Sequence, residues 1–132
     1  MAETIRQKVK FDLPPGKLFR FYMDPKLHAE LIGAKTRVSS EPGSVFSAYG
    51  GDLRGKMLHV VRNKIIVQTW RGSDWDKKEM DSILTLVFNE RDKGTELEMV
   101  HTNVPERFAA DIREGWNEYY WKPWKIHIKK AK

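Results

Sequence analysis

Between Lys35 and Asn103 the chain reads as six strand-like segments, KTRVSS, SVFSAY, LRGKMLHVVR, KIIVQTWR, DSILTLVFNER and GTELEMVHTN, and what joins them is short. The joints EPG, GGD, RNK, GSDWDKKEM and RDKG are rich in turn residues. A parallel strand pair needs a crossover of about a dozen residues or more, usually helical, and none of these joints supplies one. The segments therefore predict an antiparallel meander and exclude a doubly wound nucleotide-binding sheet.

The flanks complete the architecture. TIRQKVKFDL alternates Ile5, Gln7, Val9 and Phe11 with Arg6, Lys8 and Lys10, the period of a strand, although its faces are not cleanly sorted. After Pro14, Pro15 and Gly16, helical spacing of Leu18, Phe21 and Tyr22 predicts a short helix. Asp24 and Pro25 read as the cap and first residue of a second one, which Gly33 ends. Downstream, Pro105 and Glu106 open a long helix whose Phe108, Ile112, Trp116 and Tyr119 fall on one stripe. Gly115 weakens it by roughly 1 kcal/mol and Pro123 removes a hydrogen bond, so a bend or break is expected near Pro123. Ile126 and Ile128 then continue a weaker helix or an extended tail, basic from about Lys125. The sum is an α+β fold of β-α-α-β6-α order, with a curved seven-stranded antiparallel sheet around a long C-terminal helix.

That helix carries GWNEYYWKPW. Burying one such ring removes about 150 to 250 Å² from water, so the stripe is first of all a core element. At roughly 100° per residue, Tyr120 and Trp121 point away from Trp116 and Tyr119, so some rings must be exposed or line an opening. A helix closing over a curved sheet leaves a cavity for a small apolar ligand. Strand parity places Leu84, Leu86 and Phe88 inward, and likewise Leu97, Met99 and His101. In KIIVQTW the choice lies between Ile65, Val67, Thr69 and Ile66, Gln68, Trp70, and the second set is taken. The expected ligand-lining residues are Tyr22, Trp70, Leu84, Leu86, Met99, His101, Phe108, Ile112 and Trp116.

At 132 residues and a formal charge of +6 the chain suits one domain with a real core. Acidic residues interleave with basic ones nearly everywhere, so no nucleic-acid footprint is expected, and no apolar run is long enough for a membrane span. With no cysteine and no apolar leader, a cytoplasmic location is expected. His28, His59, His101 and His127 form no metal-ligand spacing, so neither a metal nor a cofactor is expected. His101 is a polar anchor, a general base or, more ordinarily, a satisfied buried imidazole. Ser44 and Ser47 lack a nucleophile-elbow context and no catalytic residue is assigned. Trp75, in GSDWDKKEM, either packs back on the sheet or gates an entrance.

FYMDPKLHAELIGA, SVFSAYGGDLRG, NKIIVQTWR, DSILTLVF, GTELEMVHTNVP and GWNEYYW, in that order, cover nearly the whole chain. Together they resemble the C-terminal-type domain of the activators of heat-shock protein 90 ATPase, within the START-like, birch-pollen-allergen-like helix-grip (SRPBCC) superfamily. The resemblance implies the fold just derived and suggests Tyr22, Tyr49 and Arg54 as groups for a ligand's polar end, against surface or satisfied core positions. It also implies a heat-shock protein 90 chaperone as a possible partner. In the eukaryotic co-chaperone a separate N-terminal domain makes the main chaperone contact; no segment here corresponds to it, and direct ATPase stimulation is not expected of these residues. Three functions compete. They are a non-enzymatic binder of an unknown small apolar ligand, a chaperone-interaction module, and an enzyme of lyase or cyclase type, which would need an acid and base converging in the cavity.

Overall fold

The computed structural model describes residues 1–131; Lys132, the last residue of the basic stretch, lies outside the described residues. The order is β1 (Ala2–Phe11), α1 (Pro15–Met23), α2 (Pro25–Ile32), β2 (Thr36–Arg37), β3 (Val45–Ala48), β4 (Leu53–Val61), β5 (Ile65–Gly72), β6 (Ser82–Arg91) and β7 (Gly94–Pro105). A helical stretch follows, made of α3 (Glu106–Trp116), a π turn (Asn117–Trp121) and α4 (Lys122–Lys130). Strands β2 to β7 meander, β1 returns beside β7, and all pairs are antiparallel in a seven-stranded sheet of order β1-β7-β6-β5-β4-β3-β2.

Local chemistry fixes the helix ends. The Asp24 carboxylate accepts from the Lys26 and Leu27 backbone N–H groups, and Gly33 closes α2 in the left-handed conformation at φ 72°. Sheet curvature is built in at irregularities between Glu3 and Ile5 and between Met57 and His59. Gly55 lies beside the second: a Cβ there would sit 1.8 Å from the Thr69 carbonyl oxygen. The inward rows are Ile66, Gln68, Trp70; Ser82, Leu84, Leu86, Phe88; and Leu97, Met99, His101, all buried.

The C-terminal stretch departs from the expected break at Pro123. The helix runs through the proline to Lys130, burying Trp124 and Ile128 beyond it. The π turn explains this. The Lys122 N–H reaches back five residues to the Asn117 carbonyl, and the wider turn just before Pro123 gives its ring room. It also resets the phase of the stripe. In an unbroken α-helix Trp121 would lie about 140° from Trp116; with one extra residue in the turn, Tyr120 and Trp121 both rotate into the core and Tyr119 is left 56% exposed. The expectation that Tyr120 and Trp121 point away from the buried face is thereby corrected.

Candidate functional site

The hollow of the sheet is largely filled with rings. Trp116 stacks on Trp121 at 5.4 Å and 17°, and Trp124 meets Trp121, Phe11 and Phe21 at centroid distances of 5.3 to 5.7 Å. Tyr22 stacks on Phe46 at 5.8 Å. Gln7, the polar residue in the inward row of β1, accepts from Trp121 Nε1 at 2.7 Å and donates to the Arg113 carbonyl at 3.2 Å. At that junction the Asn117 N–H bonds the Glu114 carbonyl three residues back, and Gln7 supplies a donor to the neighbouring Arg113 carbonyl.

Two buried histidines bolt the helix to the rest. Trp116 Nε1 donates to His101 Nδ1 at 3.2 Å, which leaves the proton on Nε2, donated to Ser82 Oγ at 2.8 Å. Ser82 in turn donates to the Trp70 carbonyl at 2.7 Å. His28 takes the opposite tautomer: Nδ1–H donates to the Tyr22 carbonyl and Nε2 accepts from Tyr120 Oη, both at 2.8 Å. Tyr22 Oη donates to Gln68 Oε1 at 2.6 Å. Burial disfavours the charged imidazolium and pushes the pKa of His28 down to about 4 and that of His101 down to about 3.

What remains open is a cleft of about 590 Å³ at the α3 end of the grip. One wall is α3, presenting Phe108, Asp111, Ile112, Gly115 and Trp116, with Tyr119 and Tyr120 from the π turn. The opposite wall is Trp70 at the end of β5, with Trp75 from the loop that follows, Tyr49 and Asp52 from the β3–β4 connection, and Leu53 at the start of β4. Tyr49 begins three successive residues of positive φ (54°, 64° and 104° at Tyr49, Gly50 and Gly51), which turn the chain sharply at the mouth. The β5–β6 loop is organised by Arg71. Its guanidinium bonds Asp81 Oδ1 at 2.8 Å and the Asp76 and Glu79 carbonyls, and lies 5.7 Å from the Trp75 ring centroid. Trp75 packs back, stacked on Phe108 at 6.1 Å and 8° and beside Trp70 at 5.8 Å. Two polar atoms of wall residues have no hydrogen-bond partner among the described residues, Trp70 Nε1 and Tyr49 Oη.

Of the residues expected to line a cavity, the structure brings Trp70, Phe108, Ile112 and Trp116 together on this cleft. Tyr22, Leu84, Leu86, Met99 and His101 sit deeper, fully or almost fully buried, with His101 packed behind the Trp70 and Trp116 rings. Arg54 lies exposed on β4, away from the cleft wall. Sequence reasoning did not single out Asp52, Leu53, Asp74, Asp111 and Gly115 as wall residues. The signal for the last two was present: Phe108, Asp111, Ile112, Gly115, Trp116 and Tyr119 share one helical face, and a carboxylate and a glycine within an apolar stripe mark where it leaves the core. No group of three or more potential metal ligands is assembled among the described residues, and no helix is long and apolar enough to cross a membrane.

Residues 12–123 match the family model for activator of Hsp90 ATPase homolog 1-like proteins. The human activator of 90 kDa heat shock protein ATPase homolog 1 is 28% identical over 118 residues, which cover 89% of this chain and 35% of that protein. An uncharacterized protein of Schizosaccharomyces pombe is 32% identical over 119 residues, or 90% of this chain and 35% of that one. The chain thus spans about a third of the length of these curated relatives. Among solved structures, an HSP90 activator from Plasmodium falciparum superposes with a TM-score of 0.84 at 22% identity, covering 98% of this chain and 96% of that one. Protein MLL2253 of Mesorhizobium loti superposes equally well, with a TM-score of 0.84 at 23% identity over 98% of this chain and 99% of its own. The helix-grip architecture is common to these folds, and the chain described here belongs to the family of activator of Hsp90 ATPase homolog 1-like proteins.

Proposed function

We propose that the protein is a non-enzymatic binder of a small apolar or amphipathic molecule, held in the cleft between α3 and β5. The observation that carries this reading is the cleft itself: about 590 Å³, within the range of small-molecule sites, and walled by the rings of Tyr49, Trp70, Trp75, Phe108, Trp116 and Tyr119. The histidine best placed for acid-base work is already committed. Both ring nitrogens of His101 are hydrogen-bonded and its burial favours the neutral form, which supports a binding role over a lyase or cyclase role. Native mass spectrometry of freshly purified protein should find a co-purifying small molecule, and Gly115→Phe, which fills the cleft from the helix side, should lose it. No adduct, together with no saturable binding of the neutral probe N-phenyl-1-naphthylamine, would remove the reading.

A second reading is a chaperone-interaction module, favoured by the kinship with proteins named as activators of the 90 kDa heat shock protein ATPase. It predicts saturable binding to purified heat-shock protein 90 and a change in its ATPase rate. Titration by calorimetry with a coupled ATPase assay separates this from the first reading, since Gly115→Phe should leave chaperone binding intact unless the cleft is itself the contact.

A further inference from the structure

We infer that the cleft selects an organic cation, a small amine or quaternary ammonium carried on an aromatic or alicyclic body; this rests on the ligand-binding reading above. The chain as a whole is basic, with 24 Lys and Arg against 18 Asp and Glu. The cleft reverses that bias. Its wall contains Asp52, Asp74 and Asp111, all exposed at the rim, and no lysine, arginine or histidine. None of the three carboxylates takes part in an ion pair among the described residues. Two guanidiniums that lie against rings of this wall are engaged elsewhere: Arg71, by the Trp75 ring, pairs with Asp81, and Arg107, over the Phe108 ring, pairs with Glu79. Arg107 also feels the field of Asp74, an attraction from outside the wall that Glu79 already dominates.

Between the rim carboxylates stand aromatic faces. A cation near such a ring is attracted by its quadrupole, and the carboxylates on the same wall add a second, salt-screened attraction. An anion at the same place meets repulsion from both. Trp70, only 5% exposed, backs this wall; its Nε1 is a buried polar atom without a partner among the described residues, as are the Tyr49 hydroxyl and, deep in the ring cluster, Trp124 Nε1. The occupant that answers the wall has a positive group at the rim and an aromatic or alicyclic body against the rings.

The test uses three probes of one shape and different charge, (2-naphthylmethyl)trimethylammonium, 2-naphthylmethanol and 2-naphthoate, titrated by calorimetry into the full chain at low and moderate salt. The cation should bind about tenfold tighter than the neutral alcohol, with the carboxylate weakest, and the preference should shrink as salt rises. The triple variant Asp52→Asn, Asp74→Asn, Asp111→Asn changes only exposed side chains and should abolish the preference, bringing the ratio of cation to alcohol affinity to about one. Equal binding of all three probes, or a preference that survives the triple variant, overturns the charge selection and leaves a ligand site in place. Absence of binding by every probe overturns both the selection and the ligand site.

Discussion

Trp116 Nε1 donates to His101 Nδ1 at 3.2 Å, and this single bond ties the middle of the C-terminal helix to the last strand of the sheet. The same imidazole passes the connection on through Ser82 to the β5 backbone at Trp70, so the helix, β7, β6 and β5 meet in one buried chain of donors and acceptors. Trp116 is therefore both a packing element and the donor that fixes a tautomer.

Replacing Trp116 with alanine is expected to cost about 3 to 5 kcal/mol, since the side chain is almost wholly buried. Trp116→Phe keeps most of the volume but orphans His101 Nδ1, and about 1 to 3 kcal/mol is expected from the lost donor. Urea melts of the two variants measure both; a loss near zero in each would place Trp116 outside the core.

Acid should destabilise the fold in a defined window. His28 and His101 are held neutral when folded, with pKa values pushed down to about 4 and about 3, whereas in the unfolded chain each takes a proton near pH 6.5. Below that point the unfolded state binds protons that the folded state refuses. Stability is thus full above about pH 6.5 and falls as pH drops, by up to about 1.4 kcal/mol per pH unit for each histidine, until the folded-state values are reached. Denaturant melts between pH 7.5 and about 5.5 read the slope, above the range where Asp24 and Glu79, whose hydrogen bonds lower their pKa values, begin to contribute. A flat profile over that interval would contradict the assignment. Nitrogen-15 spectra at pH 5.5 should show His28 protonated on Nδ1 and His101 on Nε2, both neutral.

Gly115→Ala should stabilise the protein by about 0.5 to 1 kcal/mol, because a helical glycine gains from a methyl group where room exists. The nearest atom to that methyl would be a Tyr119 ring carbon at 3.6 Å, an ordinary contact. Thermal and urea melts check this, and destabilisation would mean that the cleft wall is tighter than described.

Gly55→Ala should do the reverse. Its methyl would lie 1.8 Å from the Thr69 carbonyl oxygen, so β4 and β5 must separate at the irregularity that helps bend the sheet. A loss of several kcal/mol is expected, of the kind that overpacking and a broken ladder produce together. Near-wild-type stability in a urea melt would refute the close approach.

The fold was legible because its signals are local and periodic. Joints too short for crossovers fix the antiparallel sheet, Asp24-Pro25 and Gly33 bound α2, and alternation assigns Leu84, Leu86, Leu97 and Met99 to the inner face. The π turn was not legible. Nothing in NEYYWKP by itself specifies one extra residue in a turn; the rings of Tyr120 and Trp121 are held in the core by contacts distant in sequence, among them the hydrogen bonds with His28 and Gln7. Pro123 was read by its intrinsic cost, which that wider turn absorbs. The candidate site was half legible. Phe108, Ile112 and Trp116 follow from the stripe and Trp70 from strand parity, while Asp52 and Asp74 arrive from connections whose path no periodicity encodes.

The central claim is that a small ligand enters between α3 and β5. It is tested most directly by following the indole Nε1–H resonances while N-phenyl-1-naphthylamine is titrated into nitrogen-15-labelled protein. The account predicts saturable shifts at Trp70, Trp75 and Trp116, which line the cleft, with Trp124, wholly buried at the other end of the ring cluster, left in place. Saturable shifts confined to Trp124, or none at any of the five indoles, would contradict it.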